Sequence, residues 1–306
     1  MLRLLISGRI QLRIEPSYKK SMAQVLDGRV VSDSLLAEVS AEIEMLKAKG
    51  IEPKLVVIVV GDDPASQVYV GKKEEACKKV GMLSERVVLP ATATQGQLLE
   101  KIEELNKDAS VTGMIVQLPL PDGMEAPVVI KAIDPYKDVD GFHAYNVGKM
   151  FLSKDFEDLA PCTPKGITKI LDFYKIDVKG MDCVVIGRSN IVGKPMTAML
   201  LNRDATVTCC HSRTKNLLKY TREADLVVVA VGKARFLTAD MVKEGAIVID
   251  VGMHRGEDGK LCGDADLEGM KEKVSAYTPV PGGVGPMTVA CLLMNTVTAA
   301  KKQAKL

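Results

Sequence analysis

Lys73 and Tyr69 stand four residues apart, a spacing that puts both side chains on one face of a helix. An exposed lysine beside a half-buried tyrosine is the commoner fate of such a pair, so the spacing alone decides nothing. Gln117 closes a short apolar run, Gly113 to Gln117, just ahead of Leu118-Pro119-Leu120-Pro121. A polar amide at the carboxyl end of a buried strand stands where open α/β sheets place ligand contacts. Lys137-Asp138-Val139-Asp140-Gly141 brings two acids beside a glycine turn. Their oxygens suit either hydrogen-bond recognition of a ligand or plain solvation in a loop.

A second set of residues suits a dinucleotide. The string Gly187-Arg188-Ser189-Asn190-Ile191-Val192-Gly193 follows an apolar strand pattern and opens a helical one. Glycines at such a turn let the backbone approach a pyrophosphate and offer it a helix N-terminus. Ser189 stands where the second glycine belongs and the last glycine comes one residue late, so the string counts only in its strand-to-helix context. The next strand runs into His211-Ser212-Arg213, with no acid where a ribose 2′-hydroxyl would be held. Ser212 and Arg188 suit a phosphate there instead. The string Pro279-Val280-Pro281-Gly282-Gly283-Val284-Gly285-Pro286-Met287-Thr288 frees several backbone N–H groups to close on a ligand or anion, and Pro286 suits the first turn of a helix. A solvated basic turn and a plain structural turn are the alternative readings of these last two strings.

The elements that must position these residues alternate. Apolar periodicity predicts a helix over 32–49, a buried strand over 54–60 and a helix over 64–80 stopped by Gly81. A strand over 85–89, a helix over 95–105 and a strand over 111–116 continue the series until Pro119 and Pro121 break it. The second series has a helix over 165–174, a strand over 183–186, a helix over 192–201 and a strand over 205–210. A short helix over 215–224 and strands over 226–230 and 246–251 follow, and a helix over 287–302 packs back across both series. Strand and helix alternating at this spacing imply parallel sheets with crossover helices.

Composition sets the outer limits. The 306 residues carry 41 basic and 39 acidic side chains, a net charge of +2 that points away from nucleic acid and acidic membranes. At about 150 residues per domain the length fits two domains. The longest apolar runs are strand-sized, well short of a membrane span, so a soluble globular protein is expected. Seven scattered cysteines and three distant histidines form no zinc or disulfide pattern, and reduced thiols are expected. Residues 1–21 hold five basic side chains against Glu15 and read as an extension ahead of an alternative start at Met22, with an organelle transit peptide as the other reading.

Six strings in order make the chain resemble the bifunctional methylenetetrahydrofolate dehydrogenase/methenyltetrahydrofolate cyclohydrolase family from about Met22 to its end. They are Tyr69-Val70-Gly71-Lys72-Lys73, Val116-Gln117-Leu118-Pro119-Leu120-Pro121, Lys137-Asp138-Val139-Asp140-Gly141-Phe142, Pro161-Cys162-Thr163-Pro164-Lys165-Gly166, the Gly187 to Gly193 string extended by Lys194-Pro195, and the 279–288 string already described. The resemblance implies a two-domain α/β fold. A folate-binding domain over 22–145, completed by the C-terminal helix 287–306, faces a Rossmann-type NADP-binding domain over 146–286. It also implies a cytoplasmic homodimer acting on tetrahydrofolate derivatives with NADP as cofactor, without metal, in one-carbon metabolism and purine biosynthesis.

Its site residues carry over by position. The resemblance makes Lys73 the catalytic lysine, Tyr69 the ring near the folate, Gln117 the partner of the lysine and Asp140 the pterin-binding acid. Val116, Leu118, Pro281, Gly282 and Gly283 complete the expected folate contacts. Thr163, Gly187, Arg188, Ser189, Ser212, Met253, Gly285 and Thr288 are the expected cofactor contacts. Two rival readings are another two-domain NADP oxidoreductase of shikimate-dehydrogenase type and a non-catalytic nucleotide-binding protein on the same fold. The 279–288 string and Gln117 speak against the first, Lys73 against the second.

Overall fold

Leu55 to Val60 are all buried in the central strand of a three-stranded parallel sheet, in a computed structural model that describes residues 22–256 and 259–306. The expected extension over 1–21 lies outside the described residues. The first half of the chain runs β1 (Gln24–Val25), α1 (Gly28–Lys47), β2 (Lys54–Val60), α2 (Pro64–Val80), β3 (Leu83–Leu89), α3 (Gln95–Lys107), β4 (Gly113–Val116), α4 (Ala126–Ala132) and α5 (Ala144–Leu152). The second half runs α6 (Cys162–Phe173), β5 (Asp182–Ile186), α7 (Gly193–Leu201), β6 (Thr206–Cys210), α8 (Leu217–Thr221), β7 (Leu226–Val229) and β8 (Ile247–Asp250). A hairpin of β9 (His254–Arg255) and β10 (Leu261–Cys262), then α9 (Leu267–Met270), β11 (Ala276–Tyr277) and α10 (Val284–Gln303), complete it.

The first sheet has the order β3-β2-β4 and the second β1-β11-β8-β7-β5-β6, with every pair parallel. The chain returns from β6 past β5 to β7, so the strand order reverses at β5. That reversal opens a crevice at the carboxyl end of β5, where the Gly187 turn begins. β1 pairs with β11 rather than with the first sheet, so the start of the described chain is stitched into the second.

Each buried strand splits its side chains between two cores, as the pleat requires. Leu55, Val57 and Val59 of β2 face a shared core with Val185, Val228 and Ile249 of the second sheet and with α1, α6 and α10. Val56, Ile58 and Val60 face an outer core under α3 and α4, and Val184, Val227 and Val248 face a third core on the far side of the second sheet. The helices between the sheets therefore form one layer that both sheets share.

Local signals fix most boundaries. Asp63 accepts the Ser66 N–H at the start of α2, and Gly81 ends that helix in the left-handed conformation at φ 76°. α1 starts four residues ahead of the predicted helix, because Asp27 accepts the Arg29 N–H and caps it there. α6 starts at Cys162 rather than at residue 165, and α10 at Val284 rather than at residue 287. All seven cysteines lie among the described residues and are unpaired. Among the described residues no helix is long and apolar enough to cross a membrane.

Candidate active site

Tyr69 and Lys73 lie one turn apart on α2, and Lys73 Nζ donates to Gln117 Oε1 at 2.9 Å. Gln117 is the residue after β4. Its own N–H is bonded to Ile58 O at 2.8 Å and its Nε2 donates to Leu118 O at 2.7 Å. Both bonds aim the amide oxygen, the only lone-pair group of that side chain, at the lysine. Tyr69, one turn before Lys73 on the same helix, is 39% exposed. The Val116 side chain is buried in the outer core.

The two acids of the 137–141 string separate cleanly. Asp138 is buried and accepts the N–H groups of Gly141, Phe142 and His143 at 3.2, 3.3 and 2.8 Å, and Asn146 Nδ2 at 2.9 Å. It holds the loop. Asp140 has no hydrogen-bond partner among the described residues, and burial pushes its carboxyl up to about 6 against the opposing pull of Lys73 and the further push of Asp138. The neighbouring Cys162 thiol is pushed well up, by burial first and then by the charge of Asp140, which favours its protonated form. A Cβ on Gly141 would stand 2.4 Å from Leu159 O, which is why the loop turns on glycine at φ 75°.

One helix ties this pocket to the second half of the chain. Asn295 of α10 donates from Nδ2 to Val139 O at 2.9 Å and to Ala160 O at 3.0 Å, and its Oδ1 accepts Lys165 Nζ at 2.7 Å. Thr163 and Thr288 meet hydroxyl to hydroxyl at 3.1 Å, so two of the expected cofactor contacts are neighbours. Gly285 is open, with nothing within 4 Å of where a Cβ would stand, near the N-terminus of α10. Pro281 is exposed, and Gly282 turns at φ 104°. Gly283 cannot carry a side chain, because a Cβ there would stand 2.6 Å from Pro279 O.

The glycine turn after β5 fits a pyrophosphate. A Cβ on Gly187 (φ 132°) would stand 2.2 Å from Ala230 O, and one on Gly193 would stand 2.2 Å from Gly187 O. The late glycine therefore packs the helix onto the turn. Ser189 Oγ accepts the N–H groups of Val192 and Gly193 at 3.1 and 3.3 Å, filling the gap left by the missing glycine. Arg188 and Ser212 are exposed at the ends of adjacent strands, and neither side chain has a partner among the described residues. Met253 stands 43% exposed just past the carboxyl end of β8.

The family model for the tetrahydrofolate dehydrogenase/cyclohydrolase catalytic domain matches residues 26–140, and the one for the NAD(P)-binding domain matches residues 161–304. The chain belongs to the tetrahydrofolate dehydrogenase/cyclohydrolase family. Bifunctional protein FolD of Lachnoclostridium phytofermentans is 54% identical over 281 residues, covering 92% of this chain and 99% of that protein. The crystal structure of bifunctional FolD from Campylobacter jejuni is 51% identical with a TM-score of 0.88, covering 92% of this chain and 99% of that one. FolD of Trypanosoma brucei, solved with NADP cofactor and an inhibitor, is 34% identical with a TM-score of 0.88 and covers 94% and 100%.

Within this family member, sequence reasoning passed over Asn295 and Gly28. A polar residue inside the apolar run Leu292–Val297 was the available signal for Asn295, since buried amides are kept for their hydrogen bonds. Gly28 opens α1 against the 279–288 loop, where a Cβ would stand 1.8 Å from Gly283 O. No local pattern in the sequence marks that contact, because the two residues meet only in the folded chain.

Proposed function

We propose that this chain oxidises 5,10-methylenetetrahydrofolate with NADP⁺ and hydrolyses the resulting 5,10-methenyl cation to 10-formyltetrahydrofolate. The observation that carries this reading is the Lys73–Gln117 hydrogen bond beside an Asp140 carboxylate that no group among the described residues satisfies. Asp140 accepts hydrogen bonds from the amino and ring N–H groups of the pterin and sets its orientation. Tyr69 packs along the ring, and Leu118 and the Pro281–Gly283 backbone close the pocket. Water then attacks the cationic carbon, and Lys73, aimed by Gln117, carries the proton that must reach the departing ring nitrogen.

NADP⁺ supplies the hydride acceptor for the first step, so the protein's part there is alignment. Gly187 and Ser189 would cradle the pyrophosphate. Arg188 and Ser212, which lack partners among the described residues, would take a 2′-phosphate, and Thr163, Met253, Gly285 and Thr288 would border the rest. By this reading the folate domain is 22–145 with 287–306, and the NADP domain is 146–286.

On family grounds the active form is a cytoplasmic homodimer whose 10-formyl product serves purine biosynthesis, and light scattering on the purified chain tests the dimer. The test of the activity is oxidation of methylenetetrahydrofolate by NADP⁺, followed through the methenyl chromophore and its subsequent decay. A chain that forms no chromophore with either nicotinamide cofactor refutes the reading.

A further inference from the structure

Asp264 is fully buried, and its carboxylate gathers one loop around itself. Oδ2 accepts the N–H groups of Val231 and Gly232 at 2.7 and 3.0 Å, and Oδ1 accepts that of Lys233 at 2.9 Å. His254 Nε2 stands 2.7 Å from Oδ1. Three successive amides can converge on one acceptor only if the chain curls, and Gly232 supplies the left-handed turn at φ 68°. A second buried acid backs the first: Asp250, the last residue of β8, accepts the N–H groups of Gly252, Asp264 and Ala265 at 2.9, 2.8 and 2.9 Å. Space around the pair is closed, since a Cβ on Gly252 would stand 2.4 Å from Asp264 Oδ1.

The two segments tied by Asp264 leave neighbouring strands at the same edge. Val231 to Lys233 follow β7, which borders β5, and Gly252 and Met253 follow β8. Ala230 O lies against Gly187, so the curled loop begins beside the glycine turn, at the point where open α/β sheets receive a ligand. Asp264 itself is shut off from that crevice. It acts on a ligand only through the loops it shapes.

We propose that Asp264, oriented by His254, is a positioning residue for NADP⁺, holding Val231–Lys233 and the segment bearing Met253 in the shape that receives the nucleotide. This rests on the NADP⁺-dependent activity proposed above. Asp264→Asn keeps the volume but turns an NH₂ towards backbone donors, so part of the loop loses its acceptor.

The variant is expected to raise the KM for NADP⁺ about tenfold, while hydrolysis of methenyltetrahydrofolate without NADP⁺ stays at the parent rate. His254→Leu moves the NADP⁺ KM in the same direction, and His254→Gln, which keeps a side-chain N–H donor, restores it. A parent-like NADP⁺ KM in folded Asp264→Asn, or an equal loss of both activities, overturns the proposal. Should Asp264→Asn fail to fold, His254→Leu at its partly exposed position decides, and an unchanged NADP⁺ KM overturns it. Calorimetric titration with NADP⁺ separates the two readings. Binding by a parent that performs no oxidation refutes the activity and leaves the Asp264 comparison standing.

Discussion

Asp138 spends both carboxylate oxygens on loop amides and Asn146, whereas Asp140, two residues on, has no hydrogen-bond partner among the described residues. Burial raises the Asp140 carboxyl to about 6, so the acceptor form prevails above that pH and is lost as pH falls through it. Folate affinity is therefore expected to weaken below about pH 6, with the KM for the folate rising while that for NADP⁺ holds. Asp140→Asn removes this acidic limb; an identical limb in the variant would assign it to another group. Lys73 bears on the other half of the chemistry. Proton transfer by a positioned group contributes about 10²–10⁴-fold, whereas hydride transfer depends on alignment. Lys73→Met keeps the stem and removes the ammonium, so hydrolysis should fall by that order and the dehydrogenase step far less, with methenyl product accumulating. A paired assay of both steps checks this, and parent-like hydrolysis would make Lys73 a mere surface charge.

At the scale of elements, the start of α1 and the 279–288 loop fix one another, with Gly28 N–H bonded to Gly282 O at 2.9 Å. Alanine for glycine in a helix ordinarily stabilises it by up to about 1 kcal/mol. At Gly28 the sign reverses, because the new Cβ would meet backbone at 1.8 Å, where no side chain can yield. Gly28→Ala is expected to cost about 1–3 kcal/mol, typical of overpacking, and to weaken folate binding through the displaced loop. A urea midpoint at or above the parent's would refute that. The long buried strands and amphipathic helices were legible from apolar period alone: β2 runs from Lys54 to Val60 and α2 from Pro64 to Val80 as their patterns predict. The two-residue strands β1 and β11 were not, since their pairing depends on chain ends meeting across sequence. Nor was α5, a nine-residue helix that contains Gly148 and is capped by His143 rather than by one of the usual capping residues. The site divides the same way: Lys73 stood out by its helical spacing from Tyr69, and Gln117 and Asp140 as chemical types beside turns, while Asn295 and Asp264 act through backbone groups that no spacing reveals.

The molecule as a whole hinges on the helical layer its two sheets share, and α10 is the member that reaches the site from both sides. Val139, bonded to Asn295, precedes Asp140 on the folate side, and Ala160 opens the turn that leads to Thr163 on the cofactor side. A single buried amide thus bonds to both segments that carry these residues. Alignment of donor and acceptor is the main lever on hydride transfer, so a small shift here costs rate without touching a ligand. Asn295→Leu fills a similar volume but strips two carbonyls of a donor and Lys165 Nζ of an acceptor, leaving that ammonium only Asp158 O among the described residues. Each buried polar group left unsatisfied costs about 1–3 kcal/mol, so the urea midpoint should fall clearly below the parent's. Among molecules that remain folded, the dehydrogenase kcat should fall more than the KM for either substrate rises, because the binding groups survive and only their spacing changes. A loss confined to stability, with kcat at the parent value under native conditions, would show that the two halves are held in register by other contacts.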